Sequence, residues 1–363
     1  MDRQSISGGA RSTADSRIES STAEAMGNPG SPSASPLSGG GQPAPLAKVS
    51  ADASEYVVRR VAPSDGDYLE TLHVALGVRQ PAPDAAAPEV ADVLACAERE
   101  GSTVDLVFAA QSGSRLVGAA AALESPGASA FVFASSADVS DTAVRGAGAA
   151  VGALAKEAQG RTVRILEALI DPTQHWRREI LGRGGFRHLT RLLYLTRRVA
   201  KPRPKFVTRV ELSWNTYHED RAQLFHEALD ATYVESLDCP ELTGLRPTAD
   251  VLAGHRGSVN FDPAIWFVAM RGAAPAGVVL LNRIPGGDTL ELAYMGVAQV
   301  WRGKGVANAL LDRAVAAARE IGAKRLSLAV DHRNVPARQM YAKWGFVETM
   351  TREAWILPTP GAA

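Results

Sequence analysis

The chain has 363 residues, 46% hydrophobic and 21% charged, a usage that suits about two globular domains. Lys plus Arg (39) balance Asp plus Glu (39), so the overall charge offers nothing to a nucleic acid or an anionic membrane. The two cysteines, Cys96 and Cys239, are far apart with no CxxC spacing, which argues against a disulfide framework and a zinc site.

Residues 1–54 are rich in Ser, Gly, Pro and Ala, and the first aromatic residue is Tyr56. Such a segment cannot bury enough apolar surface to offset its ordering entropy, and it reads as a disordered tail. It lacks the compact basic-then-apolar pattern of a secretory signal, and no apolar run approaches the roughly 20 residues of a membrane span. The expected location is cytoplasmic.

Helical patterns follow over Tyr68 to Gly77 and Val90 to Arg99. Val107-Phe-Ala-Ala, Arg115-Leu-Val-Gly and Phe131-Val-Phe-Ala read as a three-strand meander. A helix is predicted from Ser140 to Gln159, then a strand Val163 to Leu169, a helix Gln174 to Arg183, and Gly185-Phe186. Lys201-Pro-Arg-Pro-Lys205 suits a short, stiff, exposed linker. The order then repeats. A helix is predicted over Tyr217 to Leu229, followed by strands at Trp266-Phe-Val-Ala, Pro275-Ala-Gly-Val and Leu290 to Val297. Next come a turn at Arg302-Gly-Lys-Gly-Val-Ala307, a helix Ala307 to Ile321, a strand Arg325 to Val330, a helix Val335 to Trp344, and Gly345-Phe346.

The spacings support a repeat. Gly118 to Phe131 and Gly277 to Leu290 are both 13 residues apart, and Gly118 to Phe186 and Gly277 to Phe346 differ by one residue. The reading is an α/β (mixed α+β) chain in three parts: a tail over 1–54 and two homologous domains over 55–199 and 206–358. Each domain is expected to hold a mixed, mostly antiparallel central sheet flanked by helices.

The turn from Arg302 to Ala307 carries the chemistry. It joins an apolar strand to a helix, so backbone N–H groups gather at the helix's positive end and make a site for a pyrophosphate. Gly303 and Gly305 have no Cβ, which lets phosphate oxygens approach the backbone. The Gly-x-x-x-x-Gly-Lys-Ser/Thr spacing of a nucleotide P-loop is absent.

Turn, helix length, strand, Asn334, Tyr341 and Gly-Phe in register resemble the GNAT N-acetyltransferase superfamily, whose turn reads Arg/Gln-x-x-Gly-x-Gly/Ala and is matched by Arg302, Gly305 and Ala307. The resemblance covers about 207–357 directly and 56–198 through the repeat. The tandem order, with the motifs in the second copy, is also similar to that of mycothiol synthases; no substrate is carried over from that likeness.

The resemblance implies two tandem GNAT-like domains and acetyl-CoA as co-substrate. It implies a cofactor site made of Met295, Val297, Arg302, Gly303, Lys304, Gly305, Val306, Ala307 and Asn334. Arg302 and Lys304 would add charge near the phosphates. Gly296 fits a bulge or a close backbone approach in the strand. Tyr341 is the candidate general acid, since a phenol near pKa 10 stays protonated and can quench a thiolate near 8.5; it is otherwise a core tyrosine. Glu291 is the candidate base, or else a strand-end Glu reaching solvent or an Arg. Period-two alternation puts it with Ala293, Met295 and Val297, and Tyr294 opposite. Asn334 binds the cofactor arm, caps the helix at Val335, or does both. Tyr233, Asp238, Cys239 and Glu241 are the acceptor-site candidates. No metal is implied.

In the first copy Leu181 stands in the place of Tyr341 and Gln174 in that of Asn334. A turn-like match at Arg145 falls about one helical turn late, with Ser140 or Asp141 the better helix start. That copy reads as degenerate, supporting the second or shaping its acceptor cleft. The expected activity is acetyl transfer to a small-molecule amine by direct attack in a ternary complex, by a monomer or homodimer with no nucleic-acid or membrane partner. Acetylation of a protein amine and non-catalytic acyl-CoA sensing are the alternatives.

Overall fold

In the computed structural model the described residues are 56–78, 88–99, 102–257, 261–284 and 288–359, so the tail expected over 1–54 lies outside them. The first half runs β1 (Val57–Arg60), α1 (Tyr68–Leu76), α2 (Pro88–Arg99), β2 (Leu106–Ser112), β3 (Arg115–Ser125) and β4 (Ser129–Ser136). It continues with α3 (Asp141–Ala158), β5 (Ile165–Ile170), α4 (His175–Arg183) and β6 (Arg187–Arg198). The second half runs β7 (Ser213–Thr216), α5 (Ala222–Tyr233), α6 (Thr248–Arg256), β8 (Phe267–Arg271), β9 (Ala274–Arg283) and β10 (Thr289–Val297). It ends with α7 (Val306–Glu320), β11 (Arg325–Asp331), α8 (Val335–Lys343) and β12 (Val347–Pro358).

The long periodic helices fall where the pattern puts them. Ser140 caps α3, its hydroxyl accepting from Ala143 N. The helix expected from Tyr217 starts later, at Ala222, because β7 takes the preceding segment and Tyr217 N donates to Trp266 O.

All the strands join one sheet in the order β1-β2-β3-β4-β5-β12-β6-β11-β10-β9-β8-β7. The halves match in pairing as well as in order: Phe131 pairs with Glu167 on parallel strands as Glu291 pairs with Ser327. The expectation of two separate domains needs a correction at the centre. β12, from the second half, lies between β5 and β6, and β6, from the first half, lies between β12 and β11. Each half gives its last strand to the other. These strands follow the two Gly-Phe pairs, beyond the segment used to align the repeat.

The exchange makes a continuous sheet with two faces. Gly277 of β9 has no room for a Cβ because Leu310 of α7 lies 2.8 Å from its position, whereas Gly296 of β10 is closed by Thr232 of α5 at 2.5 Å. Hence α7 and α5 cover opposite faces. α8 shares the α7 face: its Trp344 stacks near Arg197 of β6, with the guanidinium 5.7 Å from the ring centroid. α6 shares the other face and reaches the first half, where its backbone packs on the Pro126–Gly127 turn and Asp250 pairs with Arg164 at 3.5 Å.

Residues 201–205, read as an exposed linker, are exposed except for half-buried Pro204, and the chain at and just beyond them is tied to the second half. Phe206 packs against Trp344, with ring centroids 5.8 Å apart, Lys201 Nζ donates to Gly345 O at 2.9 Å, and Arg209 N donates to Lys304 O at 2.9 Å. Its apolar Phe206 and Val210 give it a surface to bury against the second core.

Candidate active site

β10 and β11 start as a parallel pair but stay together for only three residues. Pairing ends at Glu291 with Ser327, while β10 continues on β9 to Val297 and β11 continues on β6 to Asp331. A wedge opens between them. A bulge between Leu292 and Tyr294 begins that separation, three residues before the position anticipated at Gly296. Gly296 serves the close approach instead, against Thr232.

The bulge also corrects the face assignment, because one extra residue flips every side chain beyond it. Glu291 faces Asn282 and Tyr294 faces Leu280, so both lie on the α5 face with Gly296. Met295 and Val297 face Val279 and Gly277 on the α7 side, not with Glu291 as simple alternation predicts. Their backbones are well placed nonetheless. Ala298 N donates to Ala276 O on β9, so by alternation the N–H and C=O of Met295 and Val297 point away from β9, into the wedge.

At the wedge's mouth is the turn. Among the described residues, no backbone hydrogen bond of ordinary geometry links the N–H of Gly303, Lys304, Gly305, Val306, Ala307 or Asn308 to an acceptor outside the helix. Six orphan donors at the start of a fifteen-residue helix make an anion cradle, and this is the feature that fits a CoA pyrophosphate. Gly303 has φ +73° and open space where a Cβ would stand. Gly305, at φ +88°, is confined from the other side: a Cβ there would run into Val207 O, with Thr208 Cα 2.9 Å away. It therefore serves linker packing rather than phosphate approach.

Arg302 does not add charge at the phosphates. Its guanidinium donates to the carbonyls of Val297 (3.1 Å), Glu235 (2.9 Å), Thr232 (3.1 Å) and Val234 (2.6 Å). It ties the turn to the C-terminal carbonyls of α5, where a cation suits the helix dipole. Lys304 Nζ donates to Val300 O at 2.8 Å and lies 4.7 Å from the centroid of the Trp301 ring.

Tyr341 lies on α8, on the α7 side of the wedge, and is buried against Phe346 with ring centroids 5.5 Å apart. Burial, with the Asp238 carboxylate adding to it, holds its phenol protonated well above the usual range. Asn334 fills one of the roles considered for it, the helix cap. Its Oδ1 accepts from Ala337 N at 3.3 Å, capping α8, and its amide bonds Asp238.

The acceptor candidates separate. Asp238 and Asp331 form a reciprocal clasp: Asp331 N donates to Asp238 Oδ1 (2.9 Å), and Cys239 N donates to Asp331 Oδ2 (3.2 Å). Burial pushes the Asp238 carboxyl up. Asp331 is opposed by burial, yet hydrogen bonds from Arg333, Thr190 and Cys239 pull it down to about 2. Cys239 sits at φ +44° in the clasped loop, and burial raises its thiol, which makes it a poor nucleophile. Glu241 is turned to Arg333 at 2.6 Å and lies outside the wedge. Tyr233 does line the α5 face, packed at 5.7 Å on Tyr294, with burial raising it to about 12.

Sequence reasoning missed several groups on that face. Tyr294 bonds Thr232 Oγ1 at 2.8 Å and is raised by burial. Tyr194 of β6 comes from the first half, and burial beside Glu291 raises it to about 12. Only the exchanged strand brings it there, and no local signal announces that. Arg333, two residues after Asp331, holds the loop by bonding both Asp331 and Glu241.

Residues 210–346 match the profile of the Acetyltransferase (GNAT) family. A mycothiol acetyltransferase of Beutenbergia cavernae is 30% identical over 112 residues, covering 31% of this chain and 38% of that protein, so the chain spans little more than a third of the length of this curated relative. Among solved structures, a GCN5-related N-acetyltransferase from Sphaerobacter thermophilus superposes with a TM-score of 0.53 at 16% identity, covering 85% of this chain and 97% of that one. A glucosamine N-acetyltransferase region of a fungal multi-domain β-N-acetylglucosaminidase gives 0.55 at 11%, covering 84% and 38%. At these identities the structures speak to fold alone. Residues 210–346 are thus similar to the GNAT acetyltransferases in sequence and, with the rest of the chain, in fold.

Proposed function

We propose that the chain is an acetyl-CoA-dependent N-acetyltransferase of a small-molecule amine, with residues 206–358 carrying catalysis and residues 55–199 a degenerate copy. The observation that carries this reading is the row of unpartnered N–H groups from Gly303 to Asn308 beside a wedge with Glu291 on one face and Tyr341 on the other.

Acetyl-CoA supplies the thioester. The amides of 303–308 take its pyrophosphate, and the inward backbone groups of Met295 and Val297 take the pantetheine arm. The amine enters from the α5 face. Glu291, directly or through a water, accepts the ammonium proton; nitrogen then bonds the carbonyl carbon as the carbon–sulfur bond breaks, and it sheds its remaining extra proton to water as the amide forms. Tyr341, on the opposite face, gives its proton to the leaving sulfur. Its raised pKa keeps that proton available at any physiological pH. Cys239 has no role as acyl carrier, because its buried thiol is raised.

Gly303→Asp is the direct test. Asp tolerates a positive φ and adds negative charge over the cradle, where nothing obstructs it. Acetyl-CoA affinity is expected to fall by about 100-fold or more, with the melting temperature within about 3 °C of wild type. Unchanged affinity by calorimetry would refute the cradle. Release of CoA across an amine library then tests turnover.

A further inference from the structure

The α5 face continues past the reacting centre, and its far wall belongs to the first half. Glu167 of β5 pairs with Ile356 of β12, and alternation places it on the face of Ala354, Thr190 and Tyr194, which is the face of Glu291. Above it, Arg246 donates to Gly127 O at 3.1 Å, and α6 carries His255, 6.2 Å from Tyr294 between ring centroids.

These three groups lack what buried polar groups normally have. Glu167 and the His255 ring have no hydrogen bond or ion pair among the described residues, and Gly127 O is the one acceptor Arg246 reaches. All three keep part of their surface accessible, and Glu167 and His255 are otherwise poorly solvated. Burial pushes the Glu167 carboxyl up, against the pull of Arg246, and holds His255 neutral, down to about 4. Glu167 and Arg246 feel each other's charge without closing into an ion pair. Opposite charges held apart in a poorly solvated cleft are costly unless something bridges them. A simple cation would suit Glu167 but be repelled by Arg246, and a simple anion the reverse.

We propose that this wall recognises the far end of the acceptor, and that the acceptor is an amine with a zwitterionic end: a carboxylate against Arg246 and an N–H donor against Glu167. The inference rests on the wedge being the transfer site. It makes the first half a specificity element, because Glu167 stands on a strand that the second half does not supply.

The test is calorimetry on the full chain with CoA present. Zwitterionic amines (lysine, ornithine, and dipeptides with a free amine) are each compared with the decarboxylated or amidated counterpart. At least one zwitterion is expected to bind about tenfold tighter than its counterpart. Arg246→Gln should erase that preference, and Glu167→Gln should weaken the zwitterion about tenfold, with acetyl-CoA affinity in both variants within about twofold of wild type. Equal affinities within every pair, no binding of any zwitterion, or a preference indifferent to both variants overturns the inference. Acetyl-CoA binding is read separately: its absence in the wild type would instead sink the transferase reading.

Discussion

The two halves are built on the same frame, and what separates them is what each does between its third meander strand and the following helix. In the first half β4 ends at Ser136 and α3 begins at Asp141, with the Ser140 hydroxyl turned back onto the helix's own amides. In the second half β10 ends at Val297 and α7 begins only at Val306, after a turn that leaves its amides open. β4 runs straight on β3, whereas β10 bulges and parts from its neighbour. Phe131 stands where Glu291 does, and Leu181 stands where Tyr341 does, buried in an apolar cluster. The comparison teaches that a binding site in this fold is made by withholding local satisfaction. The half that caps its helix and straightens its strand has no open amides left to offer a phosphate.

That contrast can be broken at three points. The largest effect is expected from Tyr341→Phe, which turns the second half toward the first: turnover should fall by about 100-fold or more with acetyl-CoA affinity kept. A loss below about threefold would mean that the sulfur finds its proton elsewhere. Next, Asp331→Ala should cost about 3 kcal/mol in urea unfolding, since it unbolts Cys239, Thr190 and Arg333 from a fully buried carboxylate. The matching Asp171→Ala should cost less, about 1–2 kcal/mol, because Asp171 is itself partly exposed, although its partner Arg352 is buried. Equal losses would deny that the clasp is particular to the second half.

The smallest effect concerns pH. The folded state holds the Glu167 carboxyl above its ordinary 4.5, so the wild type loses stability as pH rises from that value through the raised one. Glu167→Gln has nothing to ionise. Its melting temperature should exceed wild type by about 1–3 °C at pH 8 and converge with it near pH 4. A variant less stable than wild type at pH 8 would assign Glu167 to structure rather than to ligand.

Much of this was readable before the fold was seen. The helices carry strong periodicity, and the turn, Asn334 and Tyr341 fall in the places that the pattern assigns them. What stayed hidden depends on partners distant in sequence. One extra residue at Ala293 reversed the faces of Met295, Val297 and Tyr294, and a bulge of that kind leaves no mark in an apolar run. Arg302 looks like a phosphate ligand until the carbonyls at the end of α5 are placed beside it. The exchange of β6 and β12 could not be inferred from spacing, because either strand alternates well enough to lie beside its own half. Tyr194 meets the second half only because of that exchange, and Glu167 of β5 joins the same sheet face through the exchanged β12.

The most direct test is the stoichiometry of acetyl-CoA binding to the full chain by equilibrium titration. The account predicts one molecule per chain, lost in Gly303→Asp. Two molecules per chain, or one that persists in that variant, would contradict it.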